Sequence, residues 1–280
     1  MTTIRELLKE GSKRLALNGV EEADVDARLL LLHVLNINSA VFYMIMNNEA
    51  EETVIYRYYE LIDKRCTHYP LQYITGSTEF MGLSFKVDEN VLIPRFDTEI
   101  LVEEVLKLDL DKKKILDMCT GSGCIAISLK KLLKGNADVT GVDISEGALK
   151  IAEYNAKMND TEVSFIKSDL FENINERYDV IVSNPPYIRT SVINELMEEV
   201  KSHEPFMALD GKEDGLFFYG SIIKSAPFFM NEDAVMAFEI GYDQADSVKD
   251  IMKEDFYDIK VIRDFAGLDR VVMGRIKSIR

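Results

Sequence analysis

ILDMCTGSGCIAISL (residues 115–129) reads as a buried strand, a tight turn carrying Gly121 and Gly123, and a helix. Glycine admits left-handed backbone angles and lets a ligand approach the turn without a Cβ in the way. The spacing is not that of the three-glycine dinucleotide fingerprint, and Cys119 stands where a first glycine is expected. The stretch therefore predicts one strand–turn–helix unit of a doubly wound α/β sheet, whose ligands sit outside the carboxyl ends of the strands.

Working outward, VTGVDIS (139–145) puts Asp143 at the end of a second strand, where a carboxylate accepts hydrogen bonds from ribose hydroxyls. IKSDLF (166–171) puts Asp169 at the end of a third, within reach of an adenine amine. The three strand ends together describe a site for an adenosine-bearing cofactor that needs no phosphate. A fourth strand, YDVIVS (178–183), delivers Asn184, Pro185, Pro186 and Tyr187 to the same edge. The two prolines have no N–H, so this turn exposes acceptors and no competing donors at those positions. The Asn184 side-chain oxygen adds another acceptor, and Tyr187 offers a flat face for a planar group. Such a cradle suits a planar NH₂ group. Holding both N–H bonds aims a poorly nucleophilic nitrogen and disperses the positive charge that grows as it is alkylated. Taken alone, Asn-Pro-Pro-Tyr also reads as ordinary strand-ending punctuation.

The rest of the chain fits around this centre. Up to about Tyr69, apolar residues recur at helical spacing, as at Ile4, Leu7 and Leu8 and then Val25, Leu29 and Leu32, which predicts a small helical bundle. Its last helix should stop before Pro70. Alternation at Leu83, Phe85 and Val87 predicts a connecting β-hairpin, and a helix capped by Asp97 or Thr98 should follow. Further strands are expected at AVMAFEI (234–240) and at a final pair, DIKVIRDF (258–265) and RVVMGRI (270–276), giving a seven-stranded, mostly parallel sheet with an antiparallel closing strand. The expected domains are residues 1–75 (helical), 76–95 (hairpin linker) and 96–280 (sheet).

A net charge of −16 over 280 residues opposes sequence-independent attraction to a phosphate backbone. Three cysteines, Cys66, Cys119 and Cys124, form no CxxC pair and leave an odd thiol, which fits a reducing cytosol better than a disulfide framework. The apolar run LLLLHVL (29–35) is too short to span a membrane and reads as a buried helix. His33, His68 and His203 read as structural, Cys124 as packing, and no ligand cluster has metal spacing, so no metal is expected.

Eight separate stretches carry a resemblance: DVDARLLLLHVL, PLQYITGSTEFMGLSFKV, VLIPRFDTEILVE, ILDMCTGSGCIAISL, VSNPPYI, HEPFMALDGKEDGL, FEIGYDQ and DFAGLDRVV. With GVDIS they resemble the class I, Rossmann-like S-adenosylmethionine-dependent methyltransferases of planar amines, and within these the peptide-chain release factor glutamine methyltransferases (the HemK or PrmC family). The resemblance implies methyl transfer from S-adenosyl-L-methionine, with S-adenosyl-L-homocysteine as product, to the side-chain nitrogen N5 of the glutamine in the GGQ loop of class 1 release factors. It implies that Asn184 and the Pro185 carbonyl hold the amide, with Pro186 beside them and Tyr187 packed against it. Cys119, Thr120, Gly121 and Gly123 would line the cofactor, Asp143 would bind its ribose, and Asp169 with Leu170 would flank the adenine, Asn184 also bordering it. IPRFDTE (93–99) would wall the site, and the helical domain would dock the release factor. A cytoplasmic monomer without a membrane or direct nucleic-acid substrate is expected. The family usually reads DLGTGSG, so Met118 and Cys119 are departures. A glutamine on a ribosomal protein, an amino group on a nucleic-acid base, and a non-catalytic adenosine-binding module are the alternatives.

Overall fold

The computed structural model describes residues 2–133 and 136–277, and these divide into two compact units. One runs to Gly76 and includes Met197–His203; the other comprises Ser77–Leu196 with the chain from Glu204 onward.

The first unit contains α1 (Ile4–Leu17), α2 (Ala23–Leu35), α3 (Ser39–Ile45), α4 (Glu52–Cys66) and α5 (Leu71–Thr75). Thr3 and Glu6 form a reciprocal capping box that satisfies the first amides of α1. Leu7, Leu15, Leu30, Leu31, Phe42, Tyr58 and Ile62 make the core, and Gly11 is required because a Cβ there would lie 2.1 Å from the Tyr58 hydroxyl. The α4 helix ends at Cys66, before Pro70 as expected, but it is not the last, because Pro70 caps the further short helix α5. In α2 the inward face is Ala23, Asp26, Ala27, Leu30 and Leu31, while Val25 and Leu29 are partly exposed. A run of four leucines leaves the face undetermined, and a buried ion pair selects it: Arg65 Nε donates to Asp26 Oδ2 at 2.7 Å. Glu199 takes a second guanidinium nitrogen at 2.7 Å and the Tyr69 carbonyl a third. Removing one member strands a buried charge, so Arg65→Ala should cost about 3 kcal/mol of stability, read as a lowered urea midpoint. No single helix among the described residues is long and apolar enough to cross a membrane.

The second unit opens with a hairpin, β1 (Ser77–Phe80) and β2 (Leu83–Lys86), turned by Met81 and Gly82, both with positive φ. Phe80 and Phe85 meet edge to face at 6.0 Å and bury against Leu101, Val102 and Val105 of α6 (Phe96–Leu106). That helix begins one residue before the expected caps. Arg95 is its N-cap residue without a side-chain cap bond, and Asp97 and Thr98 fall in the first turn.

The sheet follows: β3 (Lys114–Met118), α7 (Cys124–Leu132), β4 (Asp138–Asp143), α8 (Glu146–Met158), β5 (Ser164–Lys167) and β6 (Tyr178–Ser183). After three short helices, α9 (Glu198–His203, in the first unit), α10 (Phe206–Leu209) and α11 (Phe217–Ser225), come β7 (Met230–Glu239), α12 (Ala245–Met252), β8 (Phe256–Arg263) and β9 (Asp269–Ile276). The strand order among the described residues is β5-β4-β3-β6-β7-β9-β8, parallel except for β9. The antiparallel strand thus inserts between β7 and β8 and does not form the edge. Apolar layers cover both faces, as the near-continuous hydrophobic strands require. From β3 the chain winds one way through β4 to β5, and from β6 the other way to β7. The crevice between the carboxyl ends of β3 and β6 is therefore the switch point where open α/β sheets bind ligands.

Candidate active site

A cavity of about 310 Å³ opens at that switch point. Its lining includes Cys119, Thr120 and Gly121 after β3, Asp143 at the end of β4, Asp169 and Leu170 after β5, and Asn184 and Pro186 after β6. Pro94, Arg95 and Thr98 wall one side, from the stretch expected to do so.

The glycine turn is fixed from below. Asp117, wholly buried in β3, accepts from the Thr120 hydroxyl at 2.5 Å and the Ala126 amide at 3.2 Å through Oδ2, while Oδ1 has no hydrogen-bond partner among the described residues. Burial pushes its pKa up to about 7. Asn155, fully buried on α8, donates to the Ser122 carbonyl at 2.9 Å and exchanges bonds with the Lys86 backbone, tying the turn to the hairpin. Gly121 has φ +54, and a Cβ placed on it would meet no protein atom within 4 Å. Gly123 does not line the cavity: at φ +79 it starts α7, and a Cβ there would lie 2.9 Å from Ile127 Cδ1 and 3.1 Å from Ala152 Cβ. Its smallness serves helix packing.

Asp143 caps the turn from the side. Oδ2 accepts from the Gly121 amide and Oδ1 from the Ser145 amide, both at 2.9 Å. Burial raises its pKa, and these amides oppose that rise. Each oxygen retains a lone pair.

Cys119 takes φ 63, a left-handed angle unusual for a residue with a Cβ, and packs against the apolar layer that includes Met118 and Phe238. Burial raises both the Cys119 and the Cys124 thiols, the latter to about 12, so neither is a ready nucleophile.

Beyond β6, the Ser183 hydroxyl donates to the Met118 carbonyl at 2.6 Å and locks the two strand ends together. Asn184 Nδ2 donates to Thr98 Oγ1 at 3.3 Å, which commits the amide nitrogen to the wall and leaves Oδ1 as an acceptor. Pro185 and Tyr187 are not among the lining residues. Tyr187 packs its half-buried ring on the core and points its hydroxyl inward to Glu239 Oε1 at 3.4 Å. His203, treated as structural from its sequence, meets the Tyr69 ring edge to face at 5.1 Å. No group of three or more His, Cys, Asp or Glu among the described residues could hold a metal ion.

Sequence reasoning placed Thr98 in the wall but not its bond to Asn184, and it missed Asp117 and Glu239. Both acids left a signal, each standing inside an otherwise apolar strand, Asp117 in ILDM and Glu239 in AVMAFEI.

The chain matches the family described as the PrmC N-terminal domain over residues 6–76 and that described as the methyltransferase small domain over residues 95–203. A release factor glutamine methyltransferase of Clostridium botulinum is 43% identical, the match covering 97% of this chain and 99% of the relative. One from Geobacter sulfurreducens is 40% identical over 98% and 97%. Among solved structures, a methyltransferase from Pyrococcus furiosus superposes with a TM-score of 0.54 at 18% identity, covering 71% of this chain and 90% of its own, a likeness of fold.

Proposed function

This chain belongs to the release factor glutamine methyltransferases, and from that premise we propose that it methylates N5 of the glutamine in the GGQ loop of class 1 release factors, using S-adenosyl-L-methionine. The observation that carries the site reading is the Asn184 amide, held at the carboxyl edge of the sheet with its nitrogen donated to Thr98.

The residues present fit the cofactor. Gly121 opens toward free space where a Cβ would obstruct a ligand, and Asp143 presents a carboxylate suited to a ribose diol. Asp169 and Leu170 would flank the adenine, and Cys119 and Thr120 the amino-acid end. When bound, the cofactor supplies a methyl group on a positively charged sulfur. Asn184 Oδ1 and the Pro185 carbonyl would each accept one N–H of the substrate amide, aiming its nitrogen and dispersing the charge that develops there. Methylation would leave the amide nitrogen one proton to lose to solvent, and Asn184 Oδ1 and the Pro185 carbonyl would hold the N–H bonds in place until it leaves. Pro186 would shape the cradle, and Tyr187 would brace it from the core side. The helical unit would dock the release factor, and the enzyme would act as a monomer in the cytoplasm.

Gly121→Ala should separate cofactor binding from folding. The left-handed angle costs about 1 kcal/mol, whereas the new methyl faces the ligand and should weaken S-adenosyl-L-methionine binding at least about tenfold. Calorimetry and thermal unfolding on the same preparation check this.

The function is tested by offering labelled cofactor with a purified unmodified release factor, ribosomal proteins, or RNA and DNA. Label should enter the release factor with little dependence on salt. Label confined to nucleic acid, falling steeply with salt, would overturn the reading.

A further inference from the structure

Behind the cradle, at the end of β7, lies a carboxyl group that the transfer as described does not use. Glu239 is 3% exposed, and its Oε2 has no hydrogen-bond partner among the described residues. A buried, unsatisfied acid is costly and needs a reason. Its surroundings supply one. Oε1 accepts from the Tyr187 hydroxyl at 3.4 Å, and the Thr98 side chain lies beside the carboxyl group, where its hydroxyl favours the ionised form. The same Thr98 oxygen accepts from Asn184 Nδ2 at 3.3 Å. Thr98 is 2% exposed and carries one proton.

We propose that Glu239 is a positioning residue for methyl transfer: by accepting a hydrogen bond from the Thr98 hydroxyl it leaves Thr98 only an acceptor toward Asn184, which fixes the Asn184 amide with Oδ1 toward the substrate. This rests on the assignment of Asn184 as the amide-holding residue. The relay has a polarity. An ionised Glu239 only accepts, so Thr98 donates to it and receives the Asn184 N–H. A protonated Glu239 donates to Thr98, whose proton then turns to Asn184 and favours the opposite amide orientation. Burial raises the Glu239 pKa to about 7. The groups facing it are Asp97 from α6, which raises it further, and Tyr187 and Arg270, which lower it. Cys124 of α7 also lies within its field, and the Tyr219 hydroxyl of α11 donates to its backbone carbonyl at 2.9 Å. Arg270 is shared with Asp97 at 3.1 Å and Asp264 at 2.9 Å, so it only partly offsets burial. The competent form is the ionised one, and activity should therefore rise with pH through that range.

The test uses Glu239→Gln, which keeps size but can donate to Thr98, together with Thr98→Val and Thr98→Ser. In the ¹⁵N-labelled full chain, with the Asn184 side-chain signals assigned by their loss in Asn184→Ala, those signals should shift between roughly pH 5.5 and 8.5. The shift should vanish in Glu239→Gln and Thr98→Val and persist in Thr98→Ser. With a purified release factor, kcat should fall about ten- to a hundredfold in Glu239→Gln and Thr98→Val, losing its acid limb, with cofactor affinity within about twofold and Thr98→Ser near wild type. Asn184 signals that do not titrate in the wild type, or a Glu239→Gln enzyme with the wild-type kcat and acid limb, would overturn the proposal. A wild-type protein inactive on release factors but titrating at Asn184 would instead sink the substrate reading and leave the relay standing.

Discussion

Asn184→Ala is expected to lower kcat roughly a thousandfold while cofactor affinity stays within about twofold. The side chain is half-buried just beyond β6, and among the described residues its one hydrogen bond to protein is the donation to Thr98. Truncation therefore removes an acceptor from the cradle and costs the fold about 1 kcal/mol. On the proposed role, what disappears is an oriented acceptor for an N–H bond that would become more acidic as the nitrogen is alkylated, an interaction stronger in the transition state than in the bound substrate. The loss should thus fall on kcat and not on KM. Single-turnover rates at saturating cofactor measure this directly. Asn184→Asp is a sharper variant: its carboxylate cannot donate to Thr98, so the side chain loses its anchor while keeping two acceptors.

Asp143→Ala should act on the other substrate, weakening S-adenosyl-L-methionine binding about a thousandfold, from two charge-assisted hydrogen bonds at roughly 1.5–3 kcal/mol each. The same carboxylate receives the Gly121 and Ser145 amides, so its removal also loosens the turn against which the cofactor would lie. Asp143→Asn keeps one acceptor and should fall between. At saturating cofactor the Asp143→Ala enzyme should recover a kcat within about tenfold of wild type, because the proposed role of the residue is to hold the cofactor and not the substrate nitrogen. A kcat lost as deeply as in Asn184→Ala would place Asp143 in the chemistry and contradict this division of labour.

The centre of the sheet was legible because local signals agree there. The β3 and β4 bounds match the apolar runs KILDM and DVTGVD, each stopped by a turn residue whose role is backbone conformation or capping. Elsewhere the decisive contacts join residues far apart in sequence. The face of α2 follows the Asp26–Arg65 pair, and the start of α6 owes nothing to the capping chemistry of Asp97 and Thr98. The insertion of β9 between β7 and β8 is a pairing choice with no local signature. The same holds within the site. Residues at strand ends announced themselves as turns or acids, and eight of them line the cavity. Gly123 and Tyr187 were recognisable as motif members, but only packing reveals that one starts a helix and the other turns inward. Thr98 and Glu239 meet because α6 packs against β7, a contact between segments far apart in sequence that periodicity could not have paired.

The central claim, a methyl group placed on a glutamine amide nitrogen, is tested most directly by fragmentation mass spectrometry of a purified unmodified class 1 release factor after incubation with this protein and S-adenosyl-L-methionine. One methyl group on the glutamine of the GGQ peptide, absent when the Asn184→Ala protein is used, is the predicted result. An unmodified GGQ peptide, with the cofactor shown to bind, would contradict the account.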